Sequence, residues 1–204
     1  MNNSDYMALS IAYATKKIFR YDAELFHVNV HEVAINHRLA MYLEEQIRPQ
    51  PINNINDLVA DLEYNRKLNN GNMSDCTQLL LEYTDFEGNI HHEWKNVRPD
   101  IIIHERSSNI NDILWLEVKT GTDPDVCKED LIKAYYACEQ LYFMYGGALL
   151  LDFINKRCWL MLMQGNFAIE YYYSMEDEAP VLYSKMEHNG FRPEPIRERI
   201  IIMR

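Results

Sequence analysis

Long apolar runs without charge are missing from this 204-residue sequence. A membrane-spanning helix needs about 18 or more consecutive apolar residues, and no stretch of that length is free of charged side chains. The first residues, MNNSDYMALS, also lack the basic, apolar and small-residue order of a secretory signal. We therefore expect a cytoplasmic protein that has no membrane partner.

Cysteine is scarce and scattered. The four positions are Cys76, Cys127, Cys138 and Cys158. They form no CxxC pair and show no His/Cys spacing that is typical of a zinc site. We expect reduced thiols that act as small apolar side chains.

Positive charge is also in short supply, with 20 Lys and Arg against 31 Asp and Glu and a net charge of -11. This balance excludes a broad basic surface that coats a phosphate backbone, so any contact with nucleic acid must be local or assisted by metal cations. The composition is 48% hydrophobic, and we find no repeat and no Gly/Ser linker. One domain over residues 1–204 is expected.

The first half of the chain carries one clear helical pattern. Its apolar residues recur at spacings of three and four over residues 30–47, at Ile35, Leu39, Tyr42, Leu43 and Ile47. Glu32 stands at the head of this stripe. Residues 58–66 then alternate like a strand, with Leu58, Ala60, Leu62 and Tyr64 on one side. Residues 67–97 contain QLLLEYTD, the turn-like FEGN and IHHEWKNV, which predict an inserted hairpin.

Residues 97–120, VRPDIIIHERSSNINDILWLEVKT, predict a second hairpin. Its apolar runs IIIH and ILWLEVKT flank the polar break SSNIND. If the turn of this hairpin is centred near Asn109, two residues face each other across the strands when their numbers sum to about 218. Asp100 then lies opposite residues 117–119. A period of two puts Ile113, Trp115, Glu117 and Lys119 on one face. Two carboxylates and an ammonium group therefore meet at one strand end.

A helix and further strands are predicted downstream. The segment TDPDVCKEDLIKAYYACEQLYFMYGG has a helix start at Asp123-Pro124 and a helix stop at Gly146-Gly147. Its apolar stripe is Leu131, Tyr135, Cys138, Tyr142 and Tyr145. The strand ALLLDFI follows, so strand, helix and strand predict a right-handed parallel crossover, and RCWLMLMQ and FAIEYYY predict two more strands. The expected core is about residues 30–173, with a C-terminal extension at 174–204.

The carboxylates at the strand end indicate a cation. Asp100 and Glu117 on apolar strands would repel each other and resist desolvation unless a cation lies between them. Oxygen ligands suit Mg²⁺ or Mn²⁺, which can activate a bound water and stabilise charge on a phosphoryl oxygen. Lys119 can orient the nucleophile or offset the developing negative charge.

The arrangement Pro99-Asp100, then Glu117-Val118-Lys119, resembles the PD-(D/E)XK nuclease superfamily. The segments HEVAINHRLAMYLEE, DLEYNR, RPDIIIHER and LWLEVKTG resemble, in order, those of an uncharacterised bacterial branch of it. This resemblance implies an α/β fold with a restriction-endonuclease-like core, a mixed central β-sheet flanked by α-helices. An acid-x-base triplet alone arises roughly 3 times by chance in a chain of this composition, so the full set of segments carries the resemblance.

The resemblance also implies roles for individual residues. Asp100, Glu117 and the carbonyl of Val118 match the metal ligands, Lys119 matches the catalytic lysine, and Glu32 matches a helix carboxylate that acts in catalysis and metal binding. Further candidates for substrate binding are Glu63, Asn65, Arg66, Arg98, Lys133 and Gln140.

We expect a metal-dependent nuclease that hydrolyses phosphodiester bonds and uses Mg²⁺ or Mn²⁺. The expected substrate is DNA rather than RNA, and the expected setting is bacterial or phage defence. Two alternatives stay open: a catalytically silent nuclease-fold module that binds nucleic acid or acts as a subunit, and an acidic protein-interaction domain. The sequence also leaves open whether the chain acts alone or as a homodimer.

Overall fold

The computed structural model of the chain describes residues 3–27, 32–48, 57–62, 68–69, 72–73, 77–84, 87–105, 111–193 and 196–197. The helices are α1 (Asn3–Tyr21), α2 (Glu24–His27), α3 (Glu32–Ile47) and α4 (Lys128–Leu141), the last preceded by a 3₁₀ turn at Pro124–Cys127. The strands are β1 (Leu58–Leu62), β2 (Leu68–Asn69), β3 (Asn72–Met73), β4 (Thr77–Thr84), β5 (Ile90–Val97), β6 (Ile101–Glu105), β7 (Asp112–Thr120), β8 (Tyr145–Asp152), β9 (Arg157–Gln164), β10 (Phe167–Ser174), β11 (Val181–Asn189) and β12 (Ile196–Arg197).

A seven-stranded mixed sheet forms the centre, in the order β1-β6-β7-β8-β9-β10-β11. Its pair β7 and β8 is parallel, and the other neighbours are antiparallel. The strands β12, β4 and β5 form a smaller sheet, and β2 pairs with β3. The chain is therefore of the mixed α/β class, as the sequence predicted. Within the described residues, no helix is long and apolar enough to cross a membrane.

Two apolar layers cover opposite faces of the large sheet. Helices α1 and α3 form the first, where Leu39 belongs to the same buried cluster as Leu116 and Val118 of β7. Helix α4 and the β4–β5 hairpin form the second, and Trp115 is buried there. Because alternate residues of a strand point to opposite faces, Glu117 lies on the α4 side with Trp115.

The helix and strand predictions of the first half are confirmed where the structure describes them. All five residues of the predicted stripe on α3 are buried. In β1, Leu58 is buried and Ala60 and Leu62 pack against the first layer. Residues 63–66 lie outside the described part of the chain. Strands β4 and β5 pair as an antiparallel hairpin, from Thr77↔Val97 to Thr84↔Ile90.

The second predicted hairpin is present, one residue from its predicted register. Ile101 pairs with Leu116 and Ile103 with Leu114. The register shifts after Ile103, so that His104 pairs with Asp112. Ile113 consequently belongs to the first layer, not to the face of Trp115 as predicted, because a bulge reverses the alternation at this point.

The end of α4 differs from the prediction. The helix ends at Leu141, and the residue that caps it, Tyr142, has φ 64° and is 81% exposed. Gly146 and Gly147 lie inside β8, which pairs in parallel with β7. A Cβ at Gly146 would lie 2.2 Å from the carbonyl oxygen of Ala134, so this glycine permits close helix–sheet packing. The buried apolar face of α4 is Leu131, Ile132, Ala134 and Ala137.

Both ends of the chain contribute more to the fold than the sequence indicated. Helix α1, which lies before the predicted core, buries Met7, Ile11 and Ile18 in the first layer. The predicted C-terminal extension supplies β11, the edge strand of the large sheet.

Candidate active site

The β6–β7 hairpin brings Asp100 beside the end of β7. Asp100 comes directly before β6, and Ile101 pairs with Leu116, so the next position along β7 is Glu117. The backbone N–H of Val118 donates a hydrogen bond to Oδ2 of Asp100, with a distance of 2.8 Å. This bond holds the Asp100 carboxylate beside the end of β7.

Glu117 is a buried acid. Its side chain is 3% exposed, and Oε1 accepts a hydrogen bond from Nε1 of Trp115 at 2.9 Å. Burial raises the pKa of Glu117 to about 8, and the charges of Asp100 and Asp130 add to this increase, whereas Lys133 and the Trp115 bond oppose it.

Asp100 is affected in the same direction. Burial raises its pKa, and the charges of Asp130 and Glu32 contribute, against the opposing effects of the Val118 N–H and Lys119. Two neighbouring carboxyl groups are thus both costly to ionise without a further cation. Such paired shifts are common at functional sites.

Lys119 extends from the end of β7 across this cluster. Its Nζ lies 3.8 Å from Oε2 of Glu32 and 3.7 Å from Oδ2 of Asp130. Burial alone would lower the pKa of Lys119, but four nearby carboxylates, Asp130 first, raise it above the usual value. Lys119 therefore remains an ammonium group over the physiological pH range.

Asp130 is a site residue that the sequence analysis missed. It is 4% exposed, in the first turn of α4, and its Oδ1 accepts a hydrogen bond from Nζ of Lys133 at 2.7 Å. The other oxygen faces Lys119, so one carboxylate joins the two lysines. The spacing of three between Asp130 and Lys133 on a helix was the available signal, although that spacing is common on exposed helix faces.

Lys133 belongs to the same cluster, and its predicted contact with a substrate stays a prediction. Burial lowers the pKa of Lys133, but the charges of Glu117, Asp130 and Asp100 and the hydrogen bond to Asp130 raise it overall. This ammonium group therefore neutralises part of the negative charge of Glu117, Asp130 and Asp100.

The charges of the cluster do not balance. Among the described residues, the cluster contains four carboxylates, those of Glu32, Asp100, Glu117 and Asp130, and two ammonium groups, those of Lys119 and Lys133. With every group ionised, the cluster has an excess of two negative charges, which a divalent cation would neutralise. Asp100 and Glu117 supply the oxygen donors that Mg²⁺ or Mn²⁺ prefers.

Among the described residues, no group of three or more His, Cys, Asp or Glu side chains is arranged to hold a metal ion. Mg²⁺ sites in proteins commonly use one or two carboxylates and complete the coordination shell with water, so binding of such an ion at Asp100 and Glu117 stays a prediction. The carbonyl of Val118 as a ligand stays a prediction.

Glu32 lies beside Lys119 at the edge of the cluster. It is the first residue of α3, and its side chain is 53% exposed. The sequence analysis placed it at the head of the apolar stripe of α3, and the buried residues of that helix begin three positions later, at Ile35. Glu32 thus lies at the rim, where water and a substrate can reach it.

Gln140 does not join the cluster. Its Oε1 accepts from the backbone N–H of Leu80, and its Nε2 donates to the carbonyl of Leu80, both at 2.9 Å. Gln140 therefore fastens α4 to β4, which leaves its predicted role in substrate binding without support.

The remaining substrate candidates have no established role. Arg98 is exposed between β5 and Pro99, and its substrate contact stays a prediction. Glu63, Asn65 and Arg66 lie outside the described residues. No known protein family, no curated protein and no solved structure matches this chain.

Proposed function

We propose that the chain is a metal-dependent nuclease of the PD-(D/E)XK type that hydrolyses phosphodiester bonds in nucleic acid. One observation carries the proposal: the half-buried carboxyl of Asp100 and the buried carboxyl of Glu117 are neighbours, within a cluster whose described residues include two more carboxylates than ammonium groups. A mixed sheet, a hairpin that ends at this cluster and a crossover helix that follows it agree with a restriction-endonuclease-like core.

The residues divide the chemistry between them. Asp100 and Glu117 would hold the divalent ion, which when bound lowers the pKa of a water ligand and stabilises charge on a phosphoryl oxygen. In the hydrolysis, the water oxygen would form a bond to phosphorus as the bond to the leaving oxygen breaks; the water would release one proton to solvent, and the leaving oxygen would take up one proton from solvent. Lys119, held as an ammonium group, donates to the water or to the phosphoryl oxygen and offsets the negative charge that develops.

The substrate that we propose is DNA. The net charge of -11 opposes broad electrostatic capture of a polyanion. Contacts must therefore be concentrated at the cluster, where Lys119, Lys133 and the bound cation supply positive charge. Removal of the metal should therefore abolish cleavage, whereas removal of a basic residue elsewhere on the surface should change DNA binding little.

The test is a cleavage assay on single-stranded DNA, double-stranded DNA and RNA, with Mg²⁺, Mn²⁺ or chelator. Wild type should cleave DNA with either ion and stop with chelator. Glu117→Gln should be inactive. Glu139→Gln, which changes an exposed carboxylate in the last turn of α4, should be as active as wild type. Equal cleavage by Glu117→Gln and wild type would reject the proposal. Binding of DNA without cleavage under every condition would favour the silent nucleic-acid-binding module instead.

A further inference from the structure

Strand β5, at one side of the small sheet, carries a tryptophan that is exposed to solvent. Residues 90–96 of β5 are all exposed, and both Ile90 and Trp94 are 61% exposed. Of the three tryptophans, Trp115 and Trp159 are only 1% and 5% exposed. A large aromatic side chain left in water on a regular strand is typical of an interaction surface.

Strand β5 also offers a backbone edge. In the smaller sheet the order is β12-β4-β5, so among the described strands only β4 pairs with β5. A strand that has one neighbour among the described strands can pair with another strand along its second edge. Proteins often protect such an edge with charges of one sign, which would repel a second copy of the same strand.

Here both signs of charge flank the exposed tryptophan. Glu93 and Lys95 lie on either side of Trp94, with Lys95 Nζ 2.7 Å from Glu93 Oε2, and their side chains are 48% and 51% exposed. They share the opposite face of β5 from Trp94, because alternate residues of a strand point to opposite sides. When two copies of this strand run antiparallel, the order Glu, Trp, Lys therefore brings the negative charge of each copy opposite the positive charge of the other.

We propose that β5 pairs antiparallel with β5 of a second copy of this chain, with the two-fold axis at Trp94. In this register Glu93 faces Lys95 of the second copy, Lys95 faces its Glu93, and the two Trp94 side chains meet on the other face. A shift of the axis to Glu93 or to Lys95 would place like charges directly opposite each other, which is destabilising. A two-fold contact of this kind closes at two copies and does not propagate.

The first experiment measures mass in solution by light scattering over a wide range of concentrations, without metal or nucleic acid. Wild type should approach twice the 24.2 kDa of one chain as the concentration rises. Glu93→Lys alone and Lys95→Glu alone each turn both charge pairs into repulsive pairs. The dissociation constant of each variant should therefore rise about ten-fold or more.

An equimolar mixture of the two variants tests the register itself. In the mixed dimer, the two introduced side chains face each other with opposite charge, and so do the native Lys95 of one chain and the native Glu93 of the other. The mixture should recover the wild-type association, with the heterodimer dominant in native mass spectrometry. Glu187→Lys is the matched control, since Glu187 is an exposed carboxylate on β11, the edge strand of the large sheet. It should associate like wild type.

Trp94 provides an independent readout, because it is the exposed tryptophan. Acrylamide should quench the fluorescence of Glu93→Lys more strongly than that of wild type at a concentration where wild type is dimeric. The proposal is overturned if wild type stays monomeric at every concentration, if the variant mixture does not reassociate, or if Glu187→Lys is the variant that dissociates. It is also overturned if single-stranded DNA, added to a monomeric wild type, shields Trp94 from acrylamide.

Discussion

Nε1 of Trp115 donates a hydrogen bond to Oε1 of Glu117 over 2.9 Å, and the two side chains are 1% and 3% exposed. The bond favours the ionised carboxylate, yet burial is the stronger effect, since the pKa of Glu117 rises from 4.5 to about 8. Without a metal ion, the acid that the proposed chemistry needs as an anion is therefore mainly protonated at neutral pH.

This shift predicts the pH dependence of stability in chelator. The folded protein holds the Glu117 proton more tightly than the unfolded chain, so the stabilisation is complete below about pH 4.5 and is lost as the pH rises towards about 8. The melting temperature of wild type should fall across this window, with Asp100 contributing in the same direction.

Thermal melts of wild type and Glu117→Gln at several pH values check this expectation. Glutamine cannot ionise, so the variant should show a smaller loss of stability between these limits. Parallel pH profiles for the two proteins would show that Glu117 does not titrate in this range.

The second prediction concerns Lys119. Lys119→Ala removes an ammonium group that is one-third exposed, and it leaves the bond between Asp130 and Lys133 in place. The fold and metal affinity should remain, while the cleavage rate should fall by about two orders of magnitude, as loss of electrostatic stabilisation does.

The control is Lys128→Ala, which removes an exposed ion pair with Asp125 at the start of α4. Its cleavage rate should equal that of wild type. Near-native turnover by Lys119→Ala would remove Lys119 from the mechanism.

The third prediction assigns Asp130 a positioning role. Asp130→Asn keeps the size of the side chain but removes the charge between the two lysines, so Lys119 loses a carboxylate that raises its pKa. Cleavage should fall by about ten-fold, equivalent to ~1.4 kcal/mol in the barrier. The alkaline limit of the pH–rate profile should also move to lower pH. A lower rate with an unchanged profile would indicate a structural role alone.

The parts of the fold that could be predicted are those set by local periodicity. The stripe of α3 is read correctly because the spacing of Ile35, Leu39 and Leu43 alone fixes which face is buried. The contact between Asp100 and Val118 could be predicted because the two apolar strands of this hairpin are joined by a short polar segment. A short connection allows few alternative pairings of the two strands.

The other features depend on contacts between distant segments. Gly146 looks like a helix stop, but its lack of a side chain serves the approach of Ala134. The bulge that turns Ile113 to the opposite face has no clear sequence signal. Asp130 looks like an ordinary acid in a first helical turn, and only the end of β7 makes it a partner of Lys119.

The last prediction tests the metal site through stability. A ligand that binds the folded chain alone adds roughly 1.4 kcal/mol at ten times its dissociation constant. For a chain of this size, Mg²⁺ or Mn²⁺ should then raise the melting temperature of wild type by about 3 to 6 °C. Asp100→Asn removes one ligand and should reduce this increase strongly.

Two substitutions at Asp100 separate the charge from the hydrogen bond. The carboxylate accepts from the Val118 N–H, and the amide oxygen of Asp100→Asn can accept the same bond without the cost of a buried charge. In chelator, Asp100→Asn should melt no lower than wild type. Asp100→Ala leaves the Val118 N–H without this acceptor and should lose about 1 to 3 kcal/mol. If wild type and Asp100→Asn gain equally from the metal at matched ionic strength, the ion binds elsewhere on this acidic chain, and the proposed active site loses its main physical support.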